Sequence, residues 1–244
     1  MSNPFSPLAP LWQACRGKQF RPTVTLLSST LLVIAWKCFG TPEFFADWLM
    51  PRLGMRGAPY PWAGFYCYLS AFFLLGVVPV LIVKFVFRES LADYGVRWGV
   101  RSGTLLAIVL GAPCFILGGW LASLDPTVHA YYPISKINMA AAPSPGLFAW
   151  HAVAYLSFYL GWEFHFRGFL QQGVRESLGD ANTVLIQSLA SCLAHLGRPT
   201  GEVFAALPAG LFWGIMALRT QSLLGGLVQH FLLGIMLDWF ICYG

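Results

Sequence analysis

Long apolar runs, separated by short polar or proline-rich stretches, dominate the order of residues along the chain. A helix needs about 20 apolar residues to cross the hydrocarbon core of a membrane. Seven runs approach this length, near residues 23–39, 64–87, 103–124, 146–174, 182–196, 203–218 and 222–240. The fifth and sixth are short, so six to eight spans are expected. The pattern predicts an all-α fold, a polytopic transmembrane helical bundle of about seven spans.

The composition supports a membrane environment. Charged residues make up 10% of the 244 residues, whereas soluble domains contain about 25%. This low charged fraction excludes a soluble globular protein and a disordered chain. A nucleic-acid binder is excluded because the 15 basic residues form no basic stripe. The six cysteines lack C-x-x-C spacing and are expected to be small apolar residues rather than a disulfide or zinc framework. The lipid bilayer is the first predicted partner, and nucleic acid is not one.

The distribution of Lys and Arg predicts the orientation of the bundle. With a cytoplasmic N-terminus, inner segments hold ten Lys and Arg residues and outer segments hold five, as the positive-inside rule requires. We therefore expect the N-terminus in the cytoplasm, with the first run acting as an uncleaved signal anchor. Short loops and the lack of extra domains suggest an integral protein of a prokaryotic inner (plasma) membrane. Residues 1–87 would form N-terminal membrane helices with an interfacial loop. Residues 88–244 would form the functional core of one integrated membrane domain.

Three connecting segments have recognisable character. Residues 41–62 are rich in Pro, Gly and aromatic residues and predict a loop at the headgroups. Residues 88–95 are short, charged and amphipathic, which predicts a helix lying along the inner surface. Residues 126–145 predict an outer loop that partly covers the bundle.

Ionisable residues inside membrane helices are costly, so each one prompts a functional hypothesis. They concentrate in the later half of the chain, at His151, Glu163, His165, Arg167, His195, His230 and Asp238. The first three runs contain almost none at their centres. A transport path through the whole bundle would draw on the early spans as well. The asymmetry favours a local site built by the fourth, fifth and seventh spans.

Helix rise and helical angle select among these residues. At about 1.5 Å per residue, Glu163, His195 and His230 lie roughly 16, 20 and 14 Å from the inner ends of their helices, within about one turn of depth. Asp238 and His151 fall well outside this layer. Asp238 is expected to be an interface charge and His151 a packing or interfacial residue.

The residues of this layer suggest hydrolytic chemistry. Arg167 lies four residues after Glu163, the favourable order for an ion pair, whereas His165 faces nearly the opposite side. A carboxylate in a dry pocket can act as a general base on water, and an imidazole can hold that water or donate to an oxyanion. The same Glu163, His195 and His230 could instead bind zinc with water as fourth ligand. For His195 and His230, a satisfied interhelical hydrogen bond is the simpler alternative. Between the hydrolytic and the zinc interpretations, the cofactor remains open: none or zinc.

The segment GWEFHFRGFLQ, residues 161–171, resembles the CPBP family of CAAX proteases and bacteriocin-processing (Abi) proteins. The family pattern is EExxxR, FxxxH and HxxxN or HxxxD on successive membrane helices. Glu163 and Arg167 match the second Glu and the Arg of the first motif. His195 and His230 match the histidines of the second and third motifs.

The chain departs from the family pattern at three positions. Trp162 replaces the first Glu, Ser191 replaces the Phe of the second motif, and Gly234 replaces the Asn or Asp of the third. In the family the first Glu is the usual base, so Glu163 would have to take over that role. Asp238 lies on nearly the same face as His230, but its depth argues against its replacing the Asn.

The resemblance implies a CAAX-protease-like membrane endopeptidase that cleaves a membrane-tethered peptide or protein tail. The tail could be a prenylated CAAX sequence, a bacteriocin leader or a sorting signal. In this interpretation Glu163 activates water with help from His195, His230 stabilises the oxyanion, and Arg167 orients the carboxylate, in a cavity open toward the inner leaflet. The alternative is a catalytically degenerate scaffold or binding protein.

Overall fold

A computed structural model describes residues 17–137 and 144–244. The described residues form helices, turns and loops, with no β-strand among them, so the predicted all-α fold is confirmed. The seven long helices are α1 (Phe20–Phe39), α2 (Trp62–Phe87), α3 (Arg101–Ser123), α4 (Pro145–Glu163), α5 (Gln171–Ala194), α6 (Thr200–Thr220) and α7 (Leu224–Tyr243).

The protein is an integral membrane protein. Five helical segments, Gly17–Phe39, Trp62–Phe87, α3, α6 and α7, are long and apolar enough to cross a bilayer. In the most apolar stretch of α3, only 6% of the residues are buried inside the protein, and large side chains such as Leu106 and Val109 are exposed. An exposed apolar face of this extent is typical of a surface that contacts lipid or another protein rather than water. The prediction of a polytopic bundle is confirmed, with α4 and α5 as the more enclosed helices.

The boundary between the fourth and fifth predicted spans is a bend rather than a loop. After α4 the chain continues through a π-helical stretch, Phe164–Leu170, directly into α5. Gly179, inside α5, has φ of 75° and breaks the helix there, a conformation that glycine adopts without a steric penalty. This break separates residues 171–178 from the rest of α5, which ends at Ala194.

α4 lies in the middle of the bundle, and large aromatic side chains make up most of its buried face. Tyr155, Phe158 and Trp162 are each at most 3% exposed. They pack on Trp36 of α1 and Tyr68 of α2. These contacts hold the residues that follow Trp162 at a defined position in the middle of the bundle.

The connecting segments differ from two expectations. Residues 41–62 contain the short helices Pro42–Phe44, Phe45–Leu49 and Met50–Arg52, although Trp48 and Trp62 are exposed as an interfacial role requires. The predicted surface helix at residues 88–95 is wrong in extent. It is a single 3₁₀ turn, Leu91–Tyr94, because Tyr94 is buried in an apolar cluster with Phe164 and Phe169 instead of lying along the surface. Part of the predicted outer loop, residues 138–143, lies outside the described residues.

Asp238 is not the interface charge that its depth suggested. It is fully buried, and His151 Nε2 lies 2.8 Å from its Oδ2. His151 Nδ1 in turn lies 3.0 Å from Ser135 Oγ, in the segment after α3. These three groups connect that segment to α4 and α7. The prediction of an interface charge at Asp238 was wrong because depth along one helix does not reveal a partner on another helix.

Candidate functional site

Glu163 is the last residue of α4 and is 2% exposed. Its Oε1 lies 3.3 Å from Arg167 Nη1, one helical turn later, as the i,i+4 spacing predicts. The same oxygen lies 2.7 Å from His230 Nδ1 of α7. One carboxylate thus joins a cation on its own chain segment to an imidazole from another helix.

Aromatic rings hold the imidazole of His230 on two sides. The indole of Trp213 stacks on it at 4.2 Å between centroids, and the ring of Tyr159 meets it edge-on at 4.6 Å. Trp213 is itself held by a 2.9 Å hydrogen bond from Nε1 to Gln229 Oε1. With Nδ1 directed at Glu163, the ring orientation is set by three neighbours and leaves Nε2 for other partners.

His195 follows the last turn of α5. Its Nδ1 lies 2.7 Å from the Ser191 carbonyl oxygen, and a carbonyl only accepts, so Nδ1 donates and Nε2 is the acceptor nitrogen of the neutral ring. The indole of Trp162 packs edge-on against the ring at 5.1 Å. The second histidine is therefore also held in one orientation.

His195, His230 and Arg167 line one cavity of about 490 Å³, whose wall also contains Trp162, Tyr159 and Trp213. The cavity runs from these interior residues to Asp125 and Gly201 at the end of the bundle where α3 ends and α6 begins. Both imidazoles of the predicted site therefore border one cavity.

Glu163 belongs to the group but not to the wall of that cavity. Its carboxylate borders a second, smaller cavity of about 300 Å³, lined mostly by apolar residues such as Leu160, Leu223 and Leu227. Its link to the larger cavity is the hydrogen bond with His230. Glu163 is therefore placed to act on the larger cavity through His230 rather than by direct contact.

The two main departures from the family motifs have structural counterparts. Trp162, at the place of the first Glu, contributes an indole to the cavity wall beside His195. A side chain at Gly234, the place of the Asn or Asp, would overlap the hydroxyl of Tyr159. Tyr159 also lines the cavity next to His230, so a hydroxyl from α4 occupies the space of the missing polar side chain.

The fit of Tyr159 against Gly234 predicts a packing effect. Gly234→Ala places a methyl group on the Tyr159 hydroxyl, and we expect it to lower the free energy of unfolding by about 1–3 kcal/mol, as overpacking does. Adding Tyr159→Phe should restore part of this loss. Thermal unfolding in detergent measures both, with Gly146→Ala as control because its new methyl meets only Ser144 Oγ, at 4.0 Å. Strictly additive losses from the two substitutions would contradict the fit.

Sequence reasoning missed a polar cluster at the mouth of the cavity. Glu202 accepts from Arg198 Nη1 at 2.8 Å and from the Tyr132 hydroxyl at 2.9 and 2.8 Å. Burial raises the pKa of Tyr132 well above its usual value, so Tyr132 stays a neutral donor. The spacing of Arg198 and Glu202 at the start of a predicted span was the available signal, but it is equally typical of a surface pair.

His165 lies away from the site, as its helical angle predicts. Its Nε2 is 2.7 Å from Ser29 Oγ of α1. His151 and Asp238 are also elsewhere, since neither lines the cavity of His195 and His230. The structure therefore leaves four predicted site residues in contact or in one cavity: Glu163, Arg167, His195 and His230.

The predicted zinc ligands do not converge as a metal site requires. Glu163 Oε1 and His230 Nδ1 are directed at each other at hydrogen-bond distance, and the carboxylate does not reach the cavity of His195. Among the described residues no group of three or more His, Cys, Asp or Glu side chains has an arrangement that could hold a metal. This donor set does not fit a tetrahedral zinc site.

One family model matches the part of the chain that carries the site. Residues 144–236 match the family described as Rce1-like, type II CAAX prenyl endopeptidase. No curated protein and no solved structure matches the chain. The matched region contains Glu163, Arg167, His195 and His230 and spans α4 to most of α7. Residues 144–236 are thus similar to the Rce1-like family of type II CAAX prenyl endopeptidases, in agreement with the CPBP-type motif resemblance of the sequence.

Proposed function

We propose that this protein is an intramembrane endopeptidase that cleaves a peptide tail presented at the membrane. The observation that carries the proposal is the shared cavity of His195 and His230, each with Nδ1 held by a protein acceptor. Two Nε2 atoms are thereby left for a water and a peptide carbonyl. A pair of interhelical hydrogen bonds would not require both rings to border one cavity.

The four residues have separate roles in this proposal. His195 Nε2 accepts a hydrogen bond from the attacking water. His230, when its positive charge is balanced by Glu163, presents Nε2–H to the carbonyl oxygen and to the oxyanion that forms from it. Glu163 is then a positioning residue that acts through His230, and Arg167 holds the Glu163 carboxylate.

A prenylated CAAX tail is the first substrate to test, because the smaller apolar cavity beside Glu163 offers room for a lipid chain. The experiment reconstitutes the protein in liposomes with a farnesylated peptide ending in a CAAX tetrapeptide and follows the released tripeptide by mass spectrometry. We expect cleavage by the wild type and at least 100-fold less by His195→Ala and His230→Ala. Failure of the wild type on this peptide, a leader peptide and a sorting-signal peptide would favour the scaffold instead.

The proposed mechanism does not require these residues to bind a metal ion, and the metal content of the active protein can be measured directly. We expect active protein to contain much less than one zinc per chain and to keep its rate in 1,10-phenanthroline, because Glu163 and His230 are bonded to each other. Stoichiometric zinc, with activity lost on its removal and regained on its return, would contradict this expectation.

We also propose that the protein lies in a prokaryotic inner membrane with its N-terminus in the cytoplasm. Most exposed basic residues, including Arg88, Arg97 and Arg219, lie at one end of the bundle, whereas the mouth of the cavity near Asp125 lies at the other. This orientation places the mouth on the outer side, not toward the inner leaflet as first expected. In bacterial cells, a fusion of alkaline phosphatase after Thr127 should be active, and a fusion of green fluorescent protein after Arg97 should be fluorescent. The opposite pattern would reverse the orientation.

A further inference from the structure

Glu202 brings a second carboxylate to the cavity of the two histidines. Its Oε1 lies 3.8 Å from His195 Nε2, and both residues line the cavity together with His230. Among the side chains that the structure describes, no other carboxylate is paired with His195 within 4.0 Å. The nitrogen that faces Glu202 is the acceptor nitrogen, because Nδ1 donates to Ser191.

The distance between Glu202 and His195 is suited to a shared water rather than to a direct bond. Oxygen and nitrogen acceptors hold water at roughly 2.8 Å, so one water can contact two acceptors that are 3.8 Å apart. Such a water would donate one proton to each acceptor. Its lone pair would remain free to attack a carbonyl carbon.

The Glu202 side chain is held in place yet reachable. Arg198 and Tyr132 donate to it, and its side chain remains 24% exposed. It also lies in the first turn of α6, where a negative charge is favourable. A purely structural reading, a helix-start ion pair with Arg198, accounts for these contacts but not for the acceptor nitrogen of His195 beside the carboxylate.

We propose that Glu202 is the catalytic general base of this protein, the carboxylate that the family pattern places at position 162. Trp162 presents an indole beside His195 and cannot accept a proton from water. Glu163 lies outside the wall of the cavity and is linked to it through His230. Glu202 supplies the missing acceptor from a different helix. This inference rests on the proposed endopeptidase function and names its proton acceptor.

The hydrolytic step balances with Glu202 in this role. The water oxygen forms a bond to the carbonyl carbon while one water proton passes to the Glu202 carboxylate. The π electrons of the carbonyl move to its oxygen, which is stabilised by Nε2–H of His230. Collapse of this intermediate breaks the C–N bond, and Glu202 returns the proton to the leaving nitrogen. The products are a carboxylic acid, which keeps the second proton of the water, and an amine, and Glu202 is regenerated as a carboxylate.

The first test replaces Glu202 with Gln, which keeps its size and its hydrogen bond to Tyr132. We expect kcat on the farnesylated peptide to fall at least 100-fold, within the range of general acid–base catalysis, while KM changes less than threefold. Glu176→Gln is the matched control, since it removes the acid of an exposed Arg–Glu pair with Arg21 and should leave kcat unchanged. A kcat of E202Q within threefold of the wild type overturns the inference.

The second test separates catalysis from a structural role. Glu202→Ala leaves space in the cavity, and sodium formate should restore part of kcat with saturable dependence, whereas sodium chloride at equal ionic strength should not. Loss of activity in E202A without rescue, with a lowered unfolding temperature, assigns Glu202 to structure and overturns the inference. If E202Q is active and His195→Ala is not, only the role of Glu202 fails. If the wild type cleaves nothing, the proposed function fails and the role of Glu202 fails with it.

Discussion

Replacing His230 with Ala is expected to lower kcat on the farnesylated peptide about 1,000-fold, and Glu163→Gln about 100-fold. Removal of an oxyanion donor has effects of about 10²–10³ in other enzymes. The Glu163 effect is smaller because this residue acts through the imidazole to which it is bonded at 2.7 Å. The assay is the liposome cleavage measurement with saturating peptide.

The double variant decides whether the two residues act as a unit. Residues that work through one another show non-additive losses, so E163Q combined with His230→Ala should be no slower than His230→Ala alone. His129→Ala is the matched control, because His129 is exposed in the helix Pro126–Tyr131. A double variant slower by the product of the two single losses would show that Glu163 acts independently of His230.

Breaking the buried pair of His151 and Asp238 is expected to have the largest effect on stability. Both side chains are fully buried and lie 2.8 Å apart. Removal of one partner from a buried pair costs about 3–5 kcal/mol, because it leaves the other group unpaired. Asp238→Ala should therefore unfold at a clearly lower temperature in detergent. Asp180→Ala, which removes an exposed pair with Arg175, should have little effect.

The same two residues, together with Ser135, raise the question of a second hydrolytic centre, which a substitution can test. Ser135, His151 and Asp238 are connected in the order of a serine triad, but all three are fully buried and none lines the cavity of His195. Ser135→Ala should keep kcat within twofold of the wild type, since the chain of groups joins helices and does not meet substrate. A loss of cleavage in Ser135→Ala with unchanged unfolding temperature would contradict this structural role.

The helical architecture was predictable because one physical requirement governs it. Apolar runs of membrane length must form helices, since lipid offers no partners to the backbone. Gly179 could be suspected as a boundary but not as a bend inside a continuous helical segment. Helix rise and angle also placed Glu163 near His230 and His165 elsewhere, because both depend only on position along a helix.

The sequence could not indicate how residues from connecting segments enter the cavity. Tyr132 and Arg198 lie in segments without helical periodicity, so no angle or depth could be assigned to them. The space at Gly234 is filled by the Tyr159 hydroxyl from another helix, a compensation that appears only when the two helices are packed. Asp238 was misjudged for the same reason, since its partner His151 is 87 positions earlier in the chain.

Order and spacing of residues alone determined the membrane bundle, the family motifs and the pair of Glu163 and Arg167, because each depends on local helix geometry and on the exclusion of water. Tertiary packing decided which groups share a cavity. It directed Glu163 to His230 and out of the cavity wall, and it brought Glu202 to His195. Such contacts depend on how helices distant in the chain rotate and pack against one another, which no local pattern specifies.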